Sequence, residues 1–114
     1  TVLGTEEFIY VPIRLAEYID KNTEEFVKVY VHSSTRSPIE VSKEDDYPLN
    51  TRYEVKSIYD KNRQTYIYDL KNSDIFFLVS DGKDKIGEND ILEAIRLAGN
   101  KDIYFIRWDN EQQL

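Results

Sequence analysis

DIFFLVSDG, residues 74–82, decides how this chain folds. Five apolar residues in a row, Ile75 to Val79, are followed by Ser80-Asp81-Gly82. The run is too short for a helix that buries one face, and it does not alternate. It therefore reads as a strand buried on both sides, as in a parallel sheet, closed by a turn. Downstream, Ile91, Leu92, Ala94, Ile95 and Leu97 share one helical face, with Asn89 or Asp90 as its cap and Gly99 as its stop. DIYFIRW, 102–108, is the next strand.

Upstream, RYEVKSIY (52–59) and TYIYDL (65–70) alternate as strands around the turn signal Asp60-Lys61-Asn62-Arg63, a hairpin. Phe26, Val27, Val29 and Val31 predict a strand ending at His32. Residues 1–4 read as the end of a buried strand. Gly4-Thr5-Glu6-Glu7 then offers a turn, a capping hydroxyl and first-turn acids. Phe8, Pro12, Leu15, Ala16 and Ile19 make a helical face; either Pro12 kinks that helix or the helix starts near residue 11. Asn22 is its stop. The segment 38–50, PIEVSKEDDYPLN, reads as a long loop. Strand–helix alternation around a hairpin predicts a three-layer, Rossmann-like α/β domain: a mostly parallel sheet with a β-hairpin insertion.

In such sheets ligands bind where strands end at their carboxyl edge. Three polar groups fall there: Gly4, Thr5, Glu6 and Glu7; Ser33, Ser34, Thr35, Arg36 and Ser37; and Ser80-Asp81-Gly82, with Asp81 as its candidate ligand group. Hydroxyls, backbone N–H groups and a guanidinium can cradle phosphate, so the second group is the candidate anion site. Its plain alternative is a polar turn with Arg36 paired to a carboxylate. Glu6, Glu7 and Asp81 suit a sugar hydroxyl or a Mg2+ ion carried by a phosphorylated ligand; otherwise they are capping and turn residues. His32, the single histidine, is either an acid–base group or a strand-end residue. No protein-held metal set is expected, and catalytic residues are not evident.

The 114 residues suit one domain, and 40% hydrophobic with 32% charged residues is a globular composition. No apolar run reaches the roughly 18 residues of a membrane span. The absence of cysteine fits a reducing cytoplasm. The start at Thr1, with no methionine in the chain, suggests a fragment or one domain of a longer protein. A net charge of −7 disfavours broad nucleic-acid binding. It allows an acidic partner-binding protein of the inhibitor or immunity type. Glu54-Val55-Lys56, with Asp45 or Asp46 upstream, has the spacing of a PD-(D/E)xK nuclease, although any strand alternation makes such matches common.

VLGTEEFIYVPIRLAEYI, HSSTRSPI, YPL at 47–49, TYIYDL and FFLVSDG, in that order, resemble the TRSP domain of bacterial phosphoribosyltransferase-like proteins, some in tellurium-resistance and stress gene neighbourhoods. Thr35-Arg36-Ser37-Pro38 spells the family's four letters. The resemblance implies a nucleotide- or phosphoribosyl-binding domain working with, or fused to, a phosphoribosyltransferase. SDGKDKIG after the apolar strand lacks the paired acids and Thr-Gly-Thr element of that enzyme's own phosphate loop, so the resemblance leaves open whether this chain is itself an enzyme.

Overall fold

The computed structural model describes residues 1–38, 41, 42, 44 and 49–109. The chain order is β1 (Val2–Gly4), α1 (Tyr10–Lys21), β2 (Val31–Ser33), β3 (Arg52–Lys56), β4 (Gln64–Tyr68), β5 (Phe76–Ser80), α2 (Lys85–Leu97) and β6 (Ile103–Arg107). Strands β2-β1-β5-β6 form a four-stranded sheet whose three pairings are all parallel. Strands β3 and β4 form a separate antiparallel sheet, Arg52 opposite Tyr68 and Lys56 opposite Gln64. The fold is therefore mixed α/β, a parallel sheet plus a hairpin sheet. This is a coarser description than the Rossmann-like three-layer expectation.

Alternation along the strands divides the core in two. Leu3, Phe76 and Leu78 point to one side, where Val55, Ile58 and Ile67 of the hairpin region and Ile91, Ala94 and Ile95 of α2 close over them. Val2 and Val79 point to the other side, against Ala16 and the half-buried Val11, Leu15 and Ile19 of α1. The cross-strand partners agree: Val2 lies beside Phe77, Leu3 beside Leu78, and Val79 beside Ile106. Strand β5 is thus covered on both faces, as its unbroken apolar run requires.

Three local expectations are corrected. Helix α1 starts at Tyr10, with Ile9 at the N-cap and no acid in the first turn. Pro12 then sits in the first turn, as the second of its two readings has it, where its missing N–H is not needed, and Thr5 to Phe8 form a turn ahead of the helix rather than its cap. Helix α2 starts at Lys85, four residues before Asn89 and five before Asp90, the expected caps. Asp84, in extended conformation, accepts from the N–H groups of Ile86 and Gly87, while Asp90 accepts from the Lys56 N–H of β3. The strand expected from Phe26 is three residues long, Val31–Ser33. Its partner β1 is equally short, and Phe26 stands in solvent, 80% exposed. Asn22 caps α1, and Gly99, at φ 100°, follows the Ala98 cap of α2.

Candidate functional site

From β1 the chain goes through α1 to β2 on one side of the sheet, then returns to β5 on the other. The crevice between the carboxyl ends of β1 and β5 is thus the topological switch point, where open α/β sheets bind ligands. Thr5 follows β1 and Ser80 ends β5. Their buried hydroxyls meet at 2.7 Å.

A hydroxyl chain runs outward from this bond. Thr5 Oγ1 is 2.7 Å from the Tyr59 hydroxyl, which donates to Asp81 Oδ1 at 2.6 Å. With that proton spent on Asp81, Ser80 donating to Thr5 and Thr5 to Tyr59 is a consistent direction. Burial, then the hydrogen bond to Asp81, pushes the Tyr59 phenol up to about 12.

Glu6 is the most constrained carboxylate. Its backbone is left-handed, φ 54°, an uncommon state for a residue with a side chain. Ser33 and Ser34, which lead into the Thr35-Arg36-Ser37-Pro38 (TRSP) loop, hold it there. The Glu6 N–H donates to Ser34 O and Ser34 Oγ, and the Ser33 hydroxyl donates to Glu6 O at 3.1 Å. The left-handed turn directs the side chain, 5% exposed, under the hairpin. There the Ser57 hydroxyl donates to Oε2 at 2.7 Å, and Arg63 Nη2 lies 2.8 Å from Oε1. That approach is off the hydrogen-bonding axis. Glu6 Oε1 and Arg63 Nε are buried without a hydrogen-bond partner. Gly4 permits the turn: a Cβ there would come within 2.8 Å of the Phe8 carbonyl and of Pro12 Cγ.

Arg36 stands at the rim, its side chain 51% exposed. Its Nη2 donates to Glu7 Oε1 at 2.7 Å, and Glu7 is 86% exposed. Such a solvated pair exchanges partners easily. Thr35 exchanges both backbone hydrogen bonds with Tyr66 of β4, tying the loop to the hairpin, and its Oγ1 accepts from Ser37 N–H. A cleft of about 460 Å³ is lined by Glu6, Glu7, Phe8, Arg36, Tyr59, Arg63 and Asp81. A smaller one of about 220 Å³, lined by Glu6, Glu7, Ser34, Thr35, Arg36 and Ser37, shares its Arg36–Glu7 wall.

A family model for the TRSP domain, described as C-terminal to PRTase_2, matches residues 1–95. The chain belongs to the TRSP family. No curated protein and no solved structure matches the chain significantly. Of the signature Thr35-Arg36-Ser37-Pro38, Arg36 lines the switch-point cleft, and Thr35 and Ser37 line the smaller one beside it. In this TRSP domain Thr5 is buried in the hydroxyl chain, and Ser33 and Ser34 face the Glu6 backbone, while Glu6, Glu7, Arg36 and Asp81 line the cleft.

Ser57, Tyr59 and Arg63 are not singled out by the sequence, although Arg63 stands inside a turn signal; Ser80 belongs to the third polar group at the strand ends. His32 lies outside the cleft, in a small depression with Pro12 and Ile13, and burial holds its imidazole below the ordinary histidine range. Glu54 and Lys56 are exposed on β3; Asp45 and Asp46 lie outside the described residues. Among the described residues no three His, Cys, Asp or Glu side chains cluster as a metal site, and no helix is long and apolar enough to cross a membrane.

Proposed function

We propose that this TRSP domain binds a phosphorylated ribosyl or nucleotide ligand in the switch-point cleft, acting alongside a phosphoribosyltransferase. The family's description beside PRTase_2 supports the second half. The observation that carries the first is the wall itself. A guanidinium is available at the rim, a second lies behind it, and a fixed carboxylate is set between them.

Arg36 exchanges Glu7 for a phosphate, with which it makes two parallel N–H···O bonds. The hydroxyls of Thr35 and Ser37 add to that side. Glu7 and Asp81 accept from sugar hydroxyls, and half-buried Phe8 offers an apolar floor. Ser33, Ser34 and Thr5 act through position, holding Glu6 and the cleft edge. The net charge of −7 opposes an anion, but charges more than about 8 Å away are largely screened at physiological salt. A Mg2+ ion would arrive with a pyrophosphate ligand and face Glu7 and Asp81.

A thermal-shift screen with phosphoribosyl pyrophosphate, nucleotides and ribose 5-phosphate, with and without Mg2+, tests the reading. A ligand at 100 times its dissociation constant adds about 2.7 kcal/mol of stability. Arg36→Ala removes that gain while shifting the unliganded protein by less than about 0.5 kcal/mol, as a surface substitution. If no phosphorylated compound moves the midpoint, the reading is wrong.

A further inference from the structure

At the other edge of the sheet, where β1, β5 and the chain entering β2 begin, lies a groove of about 720 Å³. Its walls are largely apolar: Phe26, Val27, Val29 and Tyr30 on one side, Ile75 and Phe77 on the other. Several of these side chains stand in solvent, Phe26 at 80%, Tyr30 at 55% and Ile75 at 48%. A contiguous apolar groove of this kind marks an interaction surface more often than isolated exposed residues do.

Residue 1 identifies the occupant. Thr1 lines this groove. Its nitrogen donates to Ile75 O at 2.9 Å, and its carbonyl accepts from Phe77 N–H at 2.8 Å. Residue 1 is therefore already in register with β5. Any polypeptide leading into β1 must arrive alongside Ile75, at the mouth of the groove. The TRSP domain is described as following PRTase_2. A domain preceding it in a chain is delivered to this surface, where interfaces of about 600–1,500 Å² suffice because the partner is tethered.

We infer that the groove is the docking surface for a phosphoribosyltransferase domain of the PRTase_2 kind. This rests on the partner half of the function proposed above and not on its ligand half. The groove and the cleft lie at opposite ends of the strands, so docking leaves the cleft open. The TRSP cleft, whatever it holds, then does not complete the transferase's active site through this interface.

The test co-expresses the 114-residue chain with a PRTase_2 phosphoribosyltransferase domain as a separate polypeptide. A one-to-one complex is expected, with amide-exchange protection gained at residues 26–30 and 72–77. Phe26→Asp and Ile75→Asp, both at exposed positions, weaken it at least tenfold. Phe26→Asp leaves the thermal shift given by a phosphorylated ligand unchanged. Loss of the ligand shift in every arm with the complex intact would refute the cleft reading and spare this one. No complex at about 1 mM, the effective concentration of a short tether, would overturn it. So would protection falling at the TRSP loop, or a groove already closed by a second copy of the chain in solution.

Discussion

At residue scale the cleft is governed by groups whose hydrogen bonds are made inside the domain. The Tyr59 phenol is raised to about 12. In the unfolded chain it ionises near the ordinary tyrosine value of 10.0. Below that pH its neutral form contributes fully to stability, and the contribution is lost as pH rises from there through the folded value. An ultraviolet titration of the nine tyrosines should therefore show one ionising late, and Tyr59→Phe should remove that late step alone. A late step that survives the substitution would assign it elsewhere. Thr5→Val keeps the shape of the side chain but takes the hydroxyl from between Ser80 and Tyr59. It should cost about 1–3 kcal/mol in urea unfolding, the penalty for buried polar groups left unpaired. The candidate residues on the first, second and fifth strands were legible because strand ends point at a ligand edge. Arg63, Tyr59 and Ser57 were not, because they come from the hairpin. Local periodicity shows that a hairpin exists but not which edge of the main sheet its turn covers.

At element scale the start of α2 shows where pattern reading goes astray. The apolar face starts at Ile91, so a cap seems due at Asn89 or Asp90, and Gly87 in KDKIGEND falls ahead of it. Gly87 is instead a contact. A Cβ on Gly87 would lie 2.1 Å from the Ser57 carbonyl, so only glycine lets the first turn of α2 sit on the end of β3. Gly87→Ala sets a gain in helix propensity of about 1 kcal/mol against overpacking of about 1–3 kcal/mol or more. The contact is with backbone that cannot swing away, so the protein should be destabilised. A stabilised variant in chemical denaturation would refute the close approach. Asp84→Ala should cost about 1 kcal/mol by removing the cap, and Asn89→Ala nearly nothing. The same turn carries the buried Glu88. Paired N–H bonds from Arg107 of β6 hold its carboxyl below the usual carboxylate range. Because the folded value is depressed, this stability is present above the ordinary glutamate value of 4.5 and is lost as pH falls through the folded one. With Arg107 half in solvent, Glu88→Gln should cost about 1–2 kcal/mol at pH 7, between an exposed and a buried pair. That cost should shrink as pH falls below 4.5 and through the depressed folded value, which urea midpoints followed from pH 7 into acid would check.

For the whole molecule, two sheets need not mean two folding units. A two-stranded hairpin alone is at best marginal in water. Here Val55, Ile58 and Ile67 belong to the same buried cluster as Leu3 and Leu78 of the parallel sheet and Ile91 and Ile95 of α2. The hairpin is the cover of one face of the sheet, and its turn is also one wall of the cleft. Stability of the fold and order of the site are therefore coupled. Ile67→Ala removes a fully buried side chain from the hairpin, at a cost of about 2–5 kcal/mol. If the hairpin and the parallel sheet unfold together, native-state hydrogen exchange should show the Leu78 amide, deep in β5, losing protection by the whole of that cost. A separately opening hairpin would lose its own protection and leave Leu78 untouched, and the cleft would then be a site that forms and dissolves while the sheet stays folded.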